Sequence, residues 1–138
     1  MNDCIFCKII EKIIPSNVVY EDDDFLAFLD IRPISSGHTI VVPKKHIVDM
    51  ESMDSVNMGK MINIVKKIGL AMLNGLKVKG YSVFLDNKSA ANQHVPHIHF
   101  HIVPRIEGDG LDRWPQQDRY EEDEDNKNMN LIIEGLEG

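Results

Sequence analysis

Apolar and polar positions along this chain repeat with two different periods, and the change of period marks its elements. Cys4 to Ile10 is a short apolar-rich run that reads as a helix or turn, with Asp3 placed to cap it. Pro15 to Asn17 then breaks the chain. Val18 to Tyr20 and Phe25 to Leu29 are rich in β-branched and aromatic residues. Divided by the acidic turn Glu21 to Asp24, they predict a hairpin. After a loop at Pro33 to Gly37, His38 to Val42 reads as a strand stopped by Pro43. From Asp54 the period lengthens. Met58, Met61, Val65, Ile68, Met72 and Leu76 recur at steps of three and four, predicting an amphipathic helix capped by Asp54 and ended by Gly75 or Gly80. Strands resume at Tyr81 to Leu85 and at Ile98 to Val103, the second stopped by Pro104.

Strands on both sides of one long helix, with short connections, predict an antiparallel α+β layer rather than alternating βαβ units. The Met-rich stripe is read as core packing rather than as a binding groove. Beyond Gly110 the pattern weakens. The acidic run Glu121 to Asp125 and the polar stretch Asn126 to Asn130 are expected to be solvated and mobile. Leu131 to Leu136 is undecided between a last strand and a tail. The expected organisation is a domain at residues 1–110 followed by a partly acidic C-terminal tail at 111–138.

Composition adds limits. The 138 residues are 43% apolar and 27% charged, ordinary for one globular domain. The formal charge of −7 excludes a protein that coats DNA or RNA through a basic face. Five acidic residues lie in Glu121 to Asp125, leaving 15 basic against 17 acidic side chains elsewhere, so much of the acidity belongs to the tail. No basic stretch followed by an apolar one opens the chain, and no window is apolar for the 18 or so residues that span a bilayer. Two cysteines three residues apart close no useful loop, which makes a reducing, cytoplasmic setting the expectation.

The informative excess is histidine. Four of the six fall within eight residues: His94, His97, His99 and His101. The last three alternate with Ile98, Phe100 and Ile102, so in a strand three imidazoles share one face and three apolar groups the other. Imidazole serves as nucleophile, as general acid or base near neutral pH, and as metal ligand. Neighbours along one strand face lie roughly 6.5–7 Å apart at Cα. A row of three therefore suits a division of labour better than convergence on one ion.

The stretch His97-Ile-His-Phe-His-Ile-Val103, preceded by Gln93 and followed by Pro104-Arg105, resembles the signature of the histidine triad nucleotide-binding superfamily. The resemblance extends through Cys4-Ile-Phe-Cys-Lys-Ile-Ile10, Phe28-Leu-Asp-Ile31 and Gly37-His-Thr-Ile-Val-Val-Pro-Lys-Lys-His46, and covers roughly residues 4 to 110. It implies a five-stranded antiparallel sheet with one long helix and a short N-terminal helix, in a homodimer that binds purine nucleotides. It also implies that His99 attacks the α-phosphorus to form a nucleotidyl-histidine that water resolves, and that His101 contacts phosphate oxygens and assists the leaving group.

Read alone, Cys4-x-x-Cys7 leaves redox motif, zinc half-site and coincidence open, although the redox reading wants a βαβ setting that is absent. The resemblance implies structural zinc held by Cys4, Cys7, His46 and His97, a closed Cys2His2 set. It further implies that Asp30 holds the ribose hydroxyls and that Ile5, Phe6, Ile9, Phe28 and Ile31 surround the base. Asn87, Gln93, His94, His99 and His101 complete the nucleotide-binding residues it implies, His94 either adding a phosphate donor or sitting at the rim. His38 keeps a structural reading. The loop Asp86-Asn-Lys-Ser-Ala-Ala-Asn-Gln93 departs from the family pattern. Asp86 replaces an amide that often faces phosphate. Asn92 replaces a Gly but tolerates a left-handed backbone. His94 replaces a small side chain.

The expected function is a zinc-containing hydrolase or nucleotidyl transferase that acts at the α-phosphate of purine nucleoside 5′-phosphate derivatives. Two other readings remain: a non-catalytic nucleotide-binding regulatory or scaffold protein, and a purely metal-binding module.

Overall fold

The computed structural model describes residues 3–112 and 114–138. Its centre is a five-stranded antiparallel sheet. The strands are β1 (Val18–Glu21), β2 (Phe25–Leu29), β3 (Thr39–Pro43), β4 (Gly80–Phe84) and β5 (Phe100–Arg105), ordered β1-β2-β3-β5-β4. Alternation along the strands sorts their side chains onto two faces. Phe25, Ala27, Val41, Phe100 and Ile102 pack with Met61, Ile64, Val65, Ile68 and Met72 of the long helix α2 (Ser55–Ala71) and the turn that follows it. On the opposite face Leu26, Phe28, Ile40 and Val42 pack with Phe6, Cys7 and Ile9 of the short helix α1 (Ile5–Ile10). The Met-rich stripe is core from Met58 to Met72, as the periodicity implies, whereas Leu76 is half exposed.

Several boundaries differ from the sequence reading. The N-cap of α1 is Cys4, whose Sγ accepts from the Cys7 amide, rather than Asp3. Asp54 does cap α2, accepting from the Asn57 amide. That helix ends neither at Gly75 nor at Gly80: it widens into a π turn at Met72–Leu76 and stops at Lys77, which is left-handed. The wider turn keeps Met72 buried while sending Leu76 over Gly37, where a Cβ would lie 2.7 Å from the Leu76 methyl. Gly69 performs a similar service inside α2, since a Cβ there would overlap the Tyr81 ring of β4.

Of the two prolines expected to stop strands, only Pro43 ends its own. Pro43 closes β3 from within, and Pro104 lies inside β5. The last pair between β3 and β5 is Thr39 with Ile102, so the missing N–H of Pro104 falls where β3 has already ended. At its other end β5 begins only at Phe100. His97 and His99 lie on an extended lead-in held by loops, with the Ile98 amide donating to the Ile47 carbonyl at 2.7 Å.

The C-terminal segment forms neither strand nor irregular tail over its length: Glu124–Glu137 is a third helix, α3. Met129, Ile132, Ile133 and Leu136 recur at helical spacing, and Glu124 and Asp125 sit where the N-terminal helix dipole favours anions. None of its residues is buried. Among the described residues no helix is long and apolar enough to cross a membrane.

Candidate active site and metal centre

Two clusters of chemistry meet where α1, the loop after β3 and the lead-in to β5 converge. The first gathers Cys4, Cys7, His46 and His97, whose ligand atoms all lie within 4.8 Å of one another. The Nδ1 of His97 is 3.4 Å from Cys4 Sγ and 3.6 Å from Cys7 Sγ, and the Nδ1 of His46 is 3.3 Å from Cys7 Sγ. Tetrahedral zinc bonds thiolate at about 2.3 Å and imidazole at about 2.0–2.1 Å, which sets S···N separations near 3.6 Å. The residues fit such an ion.

The tautomer fits as well. His97 Nε2 donates to the Pro43 carbonyl at 2.8 Å, leaving the Nδ1 lone pair facing the sulfurs, the outer-shell arrangement that orients a ligating imidazole. With no cation counted, burial pushes the Cys7 thiol up to about 11, helped by the hydrogen bond and charge of Cys4. Burial likewise pushes His97 down to about 4. Two thiols and two imidazoles gathered here, three of the four residues buried and His46 at the exposed rim, make a soft-metal donor set.

The second cluster is read from its hydrogen bonds. His99, buried against α1, donates from Nδ1 to the His97 carbonyl at 2.8 Å, so its Nε2 carries the lone pair. The Ile34 amide donates to His38 Nδ1 at 3.0 Å, which puts the His38 proton on Nε2. That Nε2 lies 2.9 Å from His101 Nδ1 and donates to it, so His101 carries its own proton on Nε2. Backbone groups at both ends of the row thus assign it: His99 presents a lone pair and His101 presents a donor. Their ring centroids are 4.8 Å apart. Burial pushes His38 and His99 below their ordinary values. His101 is pushed down to about 4, by burial first and then by His99 and His38, so the row is neutral at pH 7.

Aromatic contacts fix the rings. Phe6 meets His99 edge-on at 4.9 Å, and Phe84 stacks on His101 at 4.5 Å with 16° between the planes. Asp30 Oδ2 is 3.8 Å from His38 Nε2, while Asp30 Oδ1 accepts from the Arg32 amide. Asp30, His38 and His101 also have ligand atoms within 4.8 Å. There, however, the imidazole nitrogens face each other rather than a shared ion.

The remaining candidates separate. Phe6, Ile9 and Phe28 are buried in the α1-side core, whereas Ile5 is partly exposed and Ile31 is 86% exposed. Asn87 and Gln93 brace the loop before the triad. Asn87 Oδ1 accepts from the Met50 amide at 2.8 Å, and Gln93 accepts from the Lys88 amide while its Nε2 donates to the Val48 and Val95 carbonyls. Asn92 takes the left-handed backbone at φ 69°. His94 is exposed and lines an open cavity of about 480 Å³ with Cys4, Ile5 and His46. A cavity of about 630 Å³ lies at Asp24, Lys44, His46 and Asn57, and His99 is not among its lining residues.

Three contributors escaped the sequence reading. His38 reads there as structural, yet it sets the tautomer of His101. Phe84 carries no signal until the β4 register places it opposite His101. Lys88 joins the triad loop to a buried acid, with Nζ 2.6 Å from Asp49 and 3.0 Å from Glu51.

Comparison with known proteins places these features in a lineage. The HIT domain family model matches residues 11–108, which include His46 and the triad and leave Cys4 and Cys7 outside. An uncharacterised HIT-like protein of Methanocaldococcus jannaschii is 50% identical over 107 residues, 78% of this chain and 82% of its own length. Adenosine 5′-monophosphoramidase of Schizosaccharomyces pombe is 39% identical over 102 residues, 74% of either chain. The crystal structure of a zinc-bound histidine triad family protein from Mycobacterium smegmatis superposes with a TM-score of 0.77 at 35% identity, covering 98% of this chain and 96% of the other.

Proposed function

The chain belongs to the HIT domain family and is a hydrolase of nucleotides, and from that premise we propose that it cleaves purine nucleoside 5′-phosphate derivatives at the α-phosphate through His99. Substrates in scope are phosphoramidates, acyl-adenylates and dinucleoside polyphosphates. One observation carries the mechanism: the hydrogen-bond chain that gives His99 a lone pair and His101 a proton on neighbouring rings.

In the first displacement His99 Nε2 bonds the α-phosphorus and the bond from phosphorus to the leaving atom breaks. His101 stays neutral, its Nε2–H donating to a phosphoryl oxygen and to the departing atom, which takes its proton from solvent. In the second displacement water attacks phosphorus and releases a proton to solvent, and the P–N bond to His99 breaks. Nucleoside monophosphate departs and both imidazoles regain their starting states. Splitting the reaction in this way uses one imidazole as nucleophile and its neighbour as hydrogen-bond donor. Phosphoryl transfer otherwise demands little beyond positioning and charge stabilisation. Asp30 serves the ribose hydroxyls in this reading, and Ile5, Phe6, Ile9, Phe28 and Ile31 the base. Asn87 and Gln93 shape the phosphate-side loop, with His94 at its rim.

Zinc held by Cys4, Cys7, His46 and His97 belongs to the same proposal. It would supply structure, tying α1 to the lead-in that carries His99. Both thiols must stay reduced for that purpose, which goes with a cytoplasmic setting. Homodimerisation is also proposed, supported by the edge position of β4 and by Val56, Ile62 and Leu70 exposed on α2. Residues 1–110 are taken as the catalytic domain and 111–138 as an appendage.

The deciding experiment is turnover of an AMP phosphoramidate and a diadenosine polyphosphate by wild type and His99→Ala. Turnover by wild type alone is expected. Equal rates in both proteins would sink the mechanism, and nucleotide binding without any turnover would favour a regulatory or scaffold role.

A further inference from the structure

The ladder between β4 and β5 runs Val83 with Ile102 and Phe84 with His101. Each step forward on one strand is a step back on the other. The ladder ends at Phe84 with His101, and Asp86 and His99 lie two residues beyond it; the same register carried on would bring Asp86 level with His99, on the face where Phe84 stacks on His101. That continuation puts Asp86 at the His99 end of the sheet.

Its surroundings set it apart from the rest of its loop. Asn87, Lys88 and Gln93 are committed to bracing contacts. Asp30, the other acid near the triad, is tied to the Arg32 amide and faces His38. Asp86 is half-buried, and among the described residues no hydrogen bond or ion pair engages its carboxylate. Its charge is nevertheless felt by His99, where it opposes the effect of burial.

A half-buried anion without a partner, beside a site for phosphate, would repel a phosphate-rich ligand and attract a cation. We propose that Asp86 is a specificity-determining residue. It selects nucleoside 5′-monophosphoryl conjugates whose departing group carries an ammonium, over neutral ones, and disfavours those that depart as anionic phosphate. The inference rests on His99 as nucleophile, because that assignment puts the departing group within the field of this carboxylate. A charge contact in a partly desolvated site is worth about a tenfold preference.

The test uses three substrates: the N-(3-aminopropyl) phosphoramidate of AMP, its N-butyl counterpart of matched length, and diadenosine tetraphosphate. For wild type, kcat/KM is expected to favour the aminopropyl over the butyl compound about tenfold, with the polyphosphate slowest. Asp86→Asn keeps the shape and removes the charge. It should bring the two amides within about twofold of each other and speed the polyphosphate several-fold. An unchanged amide ratio in Asp86→Asn overturns the proposal. So does uniform slowing of all three substrates, which would make Asp86 a positioning residue for His99. Calorimetric Kd values for the same amides keep the two readings separable. If wild type turns over nothing, the hydrolase mechanism fails, while the presence or loss of the charge preference in Kd still decides the role of Asp86.

Discussion

Two neighbouring imidazoles on one lead-in, His97 and His99, are two residues apart and meet opposite environments. Each points one nitrogen at a backbone carbonyl, Pro43 for His97 and His97 itself for His99. The difference lies in what faces the other nitrogen. His97 turns Nδ1 to two sulfurs and a second imidazole in a closed corner, which suits an ion that stays. His99 turns Nε2 away from any such set, with a proton-bearing imidazole beside it, which suits a bond that forms and breaks. Residue type and spacing are shared; the partner atoms divide the work.

The sharpest way to break this comparison is to remove each ring's partner atoms in turn. Truncating His99 removes the proposed nucleophile and nothing from the proposed ligand set. His99→Ala is expected to lower kcat by about 10³-fold or more while AMP binding stays within several-fold and zinc content is unchanged. Isothermal titration and metal analysis on the same preparation check all three. Loss of zinc in this variant would mean that the two imidazoles are not separate in function.

The converse change is Cys4→Ser with Cys7→Ser. Bound zinc should fall from about one equivalent to a trace, and the melting midpoint should drop by about 10 °C or more, because metal binding energy is folding energy. Nucleotide turnover should survive at low temperature, where the lead-in still folds. Unchanged zinc content would show that the ligand set is wrong.

How much of this was legible in the residues follows the same division. Elements with a clear period were read closely, because burial on one face imposes it: β2, the body of α2 and the alternation of Ile98, Phe100 and Ile102. Ends were read poorly. Pro104 looked like a stop, but whether a proline breaks a strand depends on which neighbour its nitrogen faces, and that is a property of β3. The helix at Glu124–Glu137 was undecided because its apolar residues are spaced for a helix yet nothing in the domain buries them. At the site, alternation and the Cys pair pointed to residues that the fold brings together. The role of His38 was invisible because a tautomer is set by a partner 63 residues away, through His101. Asn87 and Gln93 were expected among the nucleotide-binding residues, and no pattern in the chain signals that their side-chain amides also engage the Met50, Lys88, Val48 and Val95 backbone.

Protonation gives a smaller effect with a definite sign. His101 is held at about 4 in the folded protein, below the ordinary 6.5, chiefly by burial. Between those values the unfolded chain binds the proton and the folded chain does not. Stability therefore rises with pH across the window and is lost as pH falls from about 6.5 to about 4. His101 alone should cost about 2 kcal/mol between pH 7 and pH 5. Urea midpoints of wild type and His101→Gln at the two pH values check it, and the variant should lose less. An equal loss in both proteins would remove His101 as the source and leave the burial of other groups to explain it.

The smallest effect tests whether the loop before the triad serves the nucleophile or the metal cluster. Lys88 reaches from that loop to Asp49 and Glu51, and Asp49 is 5% exposed, so the contact braces the loop against the segment after His46. The pair raises the Lys88 ammonium and lowers the Asp49 carboxyl relative to their ordinary values, chiefly through their shared hydrogen bond. Ion pairs of this kind at a surface contribute little to stability. What Lys88→Met should change is therefore the placement of the loop: KM for a nucleotide conjugate rising about two- to threefold, with kcat and zinc content nearly constant. High salt should reproduce part of the effect in wild type and none in the variant, because the contact is electrostatic. If Lys88→Met instead released zinc with KM unmoved, the brace would belong to the corner of His97, and the boundary between the two imidazoles would have to be drawn on the other side of this loop.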